Sequence, residues 1–215
     1  MMAHYDEQRD QALNKESKKY NIIYADPPWH YGSKSAVNNS TGSTIKPLSD
    51  HYNTMSLHDM KMLPIKGMTE TDAVCFMWAT DSHLDEAIEL FKAWGFKYKT
   101  IAFNWIKTTS KGNYCKNVAP WTMKSSEICL LGTKGGMTKH KQANNIESLV
   151  FAERTKHSKK PQEVRLRIEQ LFGDIPRLEM FARESTEGWD VFGNECQNSI
   201  EIKAKTYKQL NRGDV

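Results

Sequence analysis

Residues 21–29, with the sequence NIIYADPPW, hold the groups best suited to chemistry. A short apolar strand runs directly into an acid, two prolines and an indole ring. The prolines have a fixed φ and no N–H, so they hold the neighbouring peptide carbonyls rigidly. The Asp26 carboxylate and the Pro27 carbonyl then form a preorganised pair of acceptors beside the Trp29 ring. This pair fits an exocyclic amino group on a planar base, with the ring stacked on the heterocycle.

Two acceptors on one amino group direct the nitrogen lone pair outward, which suits an in-line displacement. We expect methyl transfer from a sulfonium to that nitrogen, assisted mainly by orientation and desolvation. A strong base is not needed, because the amine loses a proton only after it has become cationic. Asp26 or water would take that proton. The alternative interpretation is structural: a turn that ends a strand, with a packed indole beside it.

The rest of the sequence alternates predicted strands with predicted helices. Strands are predicted at residues 20–25, 73–80, 98–107, 126–133, 148–152, 177–182 and 189–193. Helices are predicted at 57–63, at 84–91 with Gly95 ending the helix, and between Pro161 and Gly173. This alternation predicts an α/β fold with a mainly parallel sheet. In such sheets ligands bind at the carboxyl ends of the strands, where Asp26 lies.

Composition and charge exclude several classes of protein. The 215 residues suffice for one ordinary domain, and no apolar run of about 18 residues is present for a membrane helix. From its polar composition, the start is not expected to act as a signal peptide. The four cysteines form no CxxC pair, so a reducing cytoplasm is expected, with neither a metal site nor a disulfide framework. Residues 97–167 carry 15 Lys and Arg against 4 acidic residues, which indicates a surface that binds polyanions.

Eight segments of the chain resemble one known family and follow its order. They are YADPPW (24–29), HYNTMS (51–56), FMWAT (76–80), NWIKT (104–108), SSEICLLGTKG (125–135), KHSKKPQEV (156–164), LEMFAR (178–183) and GWDVFGNE (188–195). The family is that of the MT-A-type adenine-N6 methyltransferases, which includes the catalytic subunit of the eukaryotic mRNA adenosine methyltransferase. The chain is most similar in its compact size to the bacterial and phage members that act on DNA. The domain division expected is a lead-in (1–19), a catalytic domain (20–198) and a tail (199–215).

The resemblance implies the Rossmann-like fold of the S-adenosylmethionine-dependent methyltransferases, with S-adenosylmethionine as the cofactor. The motif order is the circularly permuted one of the beta class of DNA amino-methyltransferases, because the amino-methylating motif comes first and the cofactor strand LEMFAR comes late. The glycine-rich turn of that class is absent here, so a search for a glycine loop would miss the site.

The resemblance also implies roles for individual residues. The catalytic residues would be Asp26, Pro27, Pro28 and Trp29. The cofactor would be held by Lys160, which reaches the methionine carboxylate, and by Glu179, Phe181, Arg183, Asn194 and Glu195. The substrate would lie near Tyr52, Trp78, Trp105 and Lys107. The basic loops, including Lys139 and Lys141, are expected to contact phosphates.

Two of these residues also have support from elementary physical chemistry. Lys160 directly precedes the helix that begins at Pro161, and a cation there opposes the helix dipole. Glu179 lies within an apolar strand, where an unpaired carboxylate would be costly. A functional role explains both positions better than a structural one.

The function predicted is methyl transfer to the N6 amino group of adenine in DNA, on a base that is unpaired or has left the stack. The alternative is the same reaction on RNA. A third hypothesis is a non-catalytic subunit that binds nucleic acid, although such relatives have lost the DPPW motif. Methylation of a cytosine or of a protein amide, which uses related motifs, is the fourth. The expected location is the cytoplasm of a bacterial host cell, no membrane partner is expected, and a homodimer is left open.

Overall fold

A computed structural model of the chain describes residues 18–29, 55–119, 121–155 and 159–202. The strands in these ranges are β1 (Tyr20–Ala25), β2 (Thr69–Ala79), β3 (Lys97–Thr108), β4 (Ser126–Lys134), β5 (Leu149–Glu153), β6 (Arg177–Met180) and β7 (Asp190–Phe192). The helices are α1 (Leu57–Lys61), α2 (Ile65–Met68), α3 (Leu84–Ala93) and α4 (Gln162–Phe172). Two 3₁₀ turns cover Asp81–His83 and Met137–His140.

The described strands form a sheet in the order β5-β3-β4-β2-β1-β6-β7. Strand β1 is parallel to β2 and β6, β6 to β7, and β3 to β5, whereas β4 is antiparallel to both of its neighbours. The prediction of a mainly parallel α/β sheet is confirmed. Because β4 runs the other way, its first residues lie at the same edge as the last residues of the other strands. We call this edge the carboxyl edge.

Helix ends follow the signals in the sequence. Pro161 caps the start of α4, and Gly173 ends it with a φ of 71°. Gly95, with a φ of 82°, follows the end of α3. These positive φ values favour glycine because its missing Cβ removes the steric penalty. In the described part of the chain, no helix has the length and apolar character needed to cross a membrane.

The hydrophobic core lies on both faces of the sheet, and β1 contributes to both. Ile23 and Ala25 pack on the face covered by α1 and α3, while Ile22 and Tyr24 pack on the face covered by α4. This is the alternation expected of side chains along a strand. Burial on both faces fixes β1 firmly, and with it the segment that follows at the carboxyl edge.

The turns after β6 and β7 pack tightly against each other. Phe181 has a φ of 61°, a strained value for a bulky residue, directly after β6. A Cβ on Gly193 would lie 1.9 Å from the carbonyl oxygen of Ala182. The contact requires glycine because the obstructing atom belongs to the backbone, which cannot rotate away.

We therefore expect Gly193→Ala to lower the free energy of unfolding by about 1–3 kcal/mol, the usual effect of overpacking. The matched control is Gly67→Ala, because a Cβ on Gly67 would meet no atom within 4 Å. Urea denaturation of both variants measures the difference. A Gly193→Ala variant as stable as the wild type would contradict the close approach.

Candidate active site

The Asp26–Trp29 segment leaves β1 at the carboxyl edge and is held by short local contacts. The Trp29 N–H donates to the Pro27 carbonyl at 2.8 Å, which leaves that oxygen one further lone pair. The Trp29 indole donates to the Trp78 carbonyl at 3.1 Å and stacks on His83, with ring centroids 5.6 Å apart. The sequence analysis expected the Trp29 ring beside the substrate base. In the structure the ring is buried and supports the motif from within.

Asp26 belongs to a chain of alternating charges. The Lys160 ammonium lies 2.9 Å from Asp26 Oδ1 and 2.8 Å from Glu127 Oε1. The Lys107 ammonium lies 2.7 Å from the other oxygen of Glu127. Two cations and two carboxylates thus form one connected, mostly buried cluster at the carboxyl edge. Lys160, at the start of α4, holds Asp26 and Glu127 together.

Burial and charge act in opposite directions on these groups. Burial raises the pKa of Asp26, and the Lys160 ammonium offsets only part of that rise. Burial would also raise the pKa of Glu127, but Lys160 and Lys107 bring it below its usual value. Burial would lower the pKa of Lys160, but the carboxylates of Asp26 and Glu127 raise it above its usual value. Lys160 therefore stays charged at neutral pH, while the raised pKa makes Asp26 a better proton acceptor.

Two of the predicted substrate residues, Trp78 and Trp105, are buried under these lysines. The Trp78 ring centroid lies 5.5 Å from the Lys160 ammonium, and the Trp105 centroid lies 4.9 Å from that of Lys107. Their indole N–H groups donate to the Tyr24 hydroxyl at 2.7 Å and to the Ala152 carbonyl at 2.9 Å. The rings thus support the two cations through cation–π contacts. A direct contact of either ring with substrate stays a prediction.

Glu179 forms a buried pair with Arg165, a residue of α4. Arg165 Nη2 donates to Glu179 Oε1 at 3.1 Å. Arg165 Nε lies 3.0 Å from Glu179 Oε2, close enough for an ion pair. Neither of these two buried atoms forms a hydrogen bond with a described residue. Burial raises the pKa of Glu179, and Arg165 opposes the rise. Glu179 thus has a structural partner and still presents an oxygen with unused acceptor capacity.

The other predicted cofactor residues lie close by at the carboxyl edge. Phe181 follows β6 and stacks on Trp94, with centroids 6.4 Å apart. Asn194 and Glu195 are exposed just after β7, and Arg183 Nη1 lies 3.7 Å from Glu195 Oε1. The ends of β1, β6 and β7 are adjacent in the sheet, so these residues and Asp26 share one region.

The structure places two of the remaining predicted residues, Lys139 and Lys141, away from this region. Lys139 pairs with Asp72 at 2.5 Å, near the start of β2 and so at the opposite edge of the sheet. Its hydrogen bond, together with one from the Gly136 N–H, lowers the pKa of Asp72 to about 2. Lys141 is exposed just beyond the same 3₁₀ turn. Tyr52 lies outside the described residues.

Sequence reasoning missed three residues that organise the site: Glu127, Arg165 and His83. Glu127 carried a usable signal, because it is an acid within a largely apolar strand, as Glu179 is. Arg165 and His83 carried none, because each meets its partner only through the fold.

Comparison with known proteins identifies the family. The MT-A70 family matches residues 20–195. The chain is 35% identical to the Type II methyltransferase M.MunI of a Mycoplasma species over 196 residues, which are 86% of this chain and 82% of that protein. The chain belongs to the MT-A70 family. The predictions of the family and of a Rossmann-like methyltransferase fold are confirmed, and this MT-A70 chain is a methyltransferase.

Other relatives are eukaryotic and much longer. The chain is 26% identical over 188 residues to an N(6)-adenosine-methyltransferase MT-A70-like protein of Arabidopsis thaliana. It is 25% identical over 181 residues to the human N(6)-adenosine-methyltransferase catalytic subunit METTL3. These matches cover 85% and 82% of the MT-A70 chain but only 24% and 28% of those relatives.

The residues at the carboxyl edge fit the cofactor that MT-A70 methyltransferases use, S-adenosylmethionine. Glu179 Oε2 lies 3.0 Å from Arg165 Nε but accepts no hydrogen bond in the described structure, so it keeps the capacity to accept one from a ribose hydroxyl. The Lys160 ammonium, with three donors, suits a carboxylate. The exposed Asn194 and Glu195 offer further polar groups at the end of β7. The donor set therefore matches a ligand with a ribose and an amino-acid end.

Proposed function

We propose that this chain transfers a methyl group from S-adenosylmethionine to the N6 amino group of adenine in DNA. The observation that carries the proposal is the Asp26 carboxylate, held rigidly after β1 and paired with Lys160 at the carboxyl edge. The relative that is similar over most of its length, M.MunI, is by name a Type II methyltransferase, and the plant and human relatives are N(6)-adenosine methyltransferases.

In the proposed mechanism, Asp26 and the Pro27 carbonyl accept the two hydrogens of the adenine amino group. This orients the nitrogen lone pair towards the methyl group, which the bound cofactor supplies as a sulfonium. The buried Trp29 and His83 keep the segment in place beneath the base. After transfer, Asp26 takes a proton from the cationic amine, which its raised pKa favours.

The proposed cofactor site uses Lys160, Glu179, Phe181, Arg183, Asn194 and Glu195. Two N–H groups of Lys160 contact Asp26 and Glu127, which leaves a third for the methionine carboxylate. Glu179, oriented by Arg165, accepts a ribose hydroxyl with its second oxygen. We therefore propose that the cofactor lies across the ends of β1, β6 and β7.

The share of each relative's length that the match spans favours DNA over RNA as the substrate. The match to M.MunI spans 82% of that protein, whereas the matches to the plant and human N(6)-adenosine methyltransferases span about a quarter of each. RNA stays the second candidate because those relatives act, by name, on adenosine. The basic stretch 97–167 suits the phosphates of either.

A cytoplasmic location in a bacterial cell belongs to the same proposal. All four cysteines are free, as expected in a reducing compartment, and M.MunI is a bacterial protein. The sequence left open whether the chain forms a homodimer, and sedimentation velocity would measure its oligomeric state.

The test is methyl transfer from labelled S-adenosylmethionine to matched pools of DNA and RNA oligonucleotides, followed by digestion to nucleosides. We expect N6-methyldeoxyadenosine from the DNA pool. Methyladenosine from RNA alone would establish the second candidate instead. Cofactor binding without product from either pool would contradict the proposed acceptor.

A further inference from the structure

A cavity of about 750 Å³ opens at the carboxyl edge next to the charge cluster. Its walls are the 3₁₀ turn after β2, the end of β3, the start of β4 and part of the loop between β3 and β4. Its volume lies within the range of small-molecule sites, roughly 300–1,000 Å³. Glu127 lies in the wall and is one lysine away from Asp26. The cavity is therefore next to the proposed reaction centre.

Trp121, in the wall of this cavity, is 95% exposed. The other five tryptophans of the chain are at most 5% exposed. Val118, in the same wall, is 90% exposed. A flat indole open to water beside a cavity offers a stacking surface, and nucleobases stack on such rings whatever their identity.

The loop that carries Trp121 is fixed at its base. Asn117 and Lys124 exchange two backbone hydrogen bonds of 2.9 Å. Arg154 Nη1 donates to Asn117 Oδ1 at 2.7 Å, and the Lys124 ammonium lies 2.6 Å from Asp81. The indole is thus carried by a segment tied to β5 on one side and to the end of β2 on the other.

The charge of this region points to an anionic partner. Residues 107–124, which include the loop, carry four lysines and no acidic residue. Lys107 and Lys124 pair with Glu127 and Asp81, while Lys111 and Lys116 are exposed and supply the positive charge beside the cavity. An aromatic ring among lysines is the pattern that binds single-stranded nucleic acid, because the cations contact phosphates while the ring stacks on a base. A second copy of this chain would bring its own exposed lysines to the contact, and this like-charge repulsion disfavours a dimer through this surface.

We propose that this cavity binds an unpaired nucleobase of the substrate strand, next to the target adenine and stacked on Trp121. The inference rests on the proposed function for the identity of the target. The bound base is a neighbour of the target because the target amine must reach Asp26, whereas the cavity extends from Glu127 towards Trp121. The strand is thereby held unpaired on one side of the target adenine.

The experiment is a fluorescence titration of the whole chain with a single-stranded oligothymidine. This probe contains no adenine, so it reports binding whether or not the chain methylates adenine. We expect it to quench the emission of the exposed tryptophan, and Trp121→Phe to lose most of that quenching. Trp121→Ala should weaken binding, measured by anisotropy of a labelled probe, by about 5- to 150-fold.

Two controls separate stacking from charge and from folding. An abasic oligonucleotide of equal length carries the same phosphates and should bind without quenching. Met123→Ala alters a 54% exposed residue of the same loop and should leave the affinity unchanged. Wild-type affinity in Trp121→Ala, or equal quenching by the abasic strand, would overturn the proposal. A further result would also overturn it: acrylamide fails to quench Trp121 in the free protein at high concentration but quenches it after dilution. That result would mean that a second copy of the chain covers Trp121.

Discussion

Asp26→Asn is expected to reduce methyl transfer about a thousandfold while S-adenosylmethionine still binds. The substitution keeps the shape of the side chain but removes the charge, and the amide offers hydrogens where the adenine amino group needs an acceptor. Loss of one preorganised polar group commonly costs 10²–10³ in rate, and loss of the proton acceptor adds to this. Single-turnover transfer and calorimetric cofactor binding measure the two effects separately.

The matched control is Asp174→Asn, because Asp174 is exposed and precedes β6, at the opposite edge of the sheet. It should transfer methyl groups at the wild-type rate. Transfer by Asp26→Asn within tenfold of the wild type would remove Asp26 from the mechanism. A parallel loss of cofactor affinity would mean that Asp26 also contacts the cofactor.

Lys160→Met is expected to lower the free energy of unfolding by about 3–5 kcal/mol at neutral pH. Removing the cation leaves the Asp26 carboxylate buried without its ion-pair partner and leaves Glu127 with Lys107 as its one remaining cation in the cluster. Breaking a buried ion pair by deleting one partner typically destabilises by this amount. Urea denaturation at several pH values measures the loss.

The pH dependence of the same variant identifies the cause. Without Lys160, the Asp26 carboxyl loses the cation that offsets its burial, so its pKa in the folded state rises further above its value in the unfolded chain. The folded state then binds this proton more tightly, so the variant regains stability as the pH falls through the raised pKa of Asp26. Lys159→Met is the control, because its ammonium is half exposed and pairs with Glu184 at the surface. The free energy of unfolding of Lys159→Met should differ from that of the wild type by less than about 1 kcal/mol. A loss of stability in Lys160→Met that is the same at every pH would contradict the explanation.

Local signals in the sequence were sufficient for much of the fold. The apolar run before Asp26 predicted a buried strand, and Pro161 and Gly173 predicted both ends of α4. Such signals work because φ restriction and side-chain alternation act over a few residues. Strand β2 begins at Thr69 rather than near residue 73. Its first four residues, TETD, are polar, so the apolar run did not reveal this start, although Thr69 pairs with Tyr20 of β1.

The long-range contacts of the site could not be predicted in this way. Glu127 reaches Lys160 only because β4 is reversed, so that its start lies beside the end of β2. The partnership of Arg165 with Glu179 depends on how α4 packs across β6. The sequence reveals the excess of basic residues between positions 97 and 167. It does not reveal at which edge of the sheet an individual residue such as Lys139 lies.

The central position of β1 has a consequence for how the protein is made. Ile22 pairs with Arg177, which lies 155 positions later in the chain. Until β6 has been synthesised, the edge of β1 that pairs with it stays unpaired. At translation rates of about 5–20 residues per second, the synthesis of the intervening chain takes roughly 10–30 seconds. Contacts between such distant segments also form slowly, because the intervening chain must first be closed into a loop. The Asp26 carboxylate therefore reaches its final position only after β6 has been synthesised and has paired with β1.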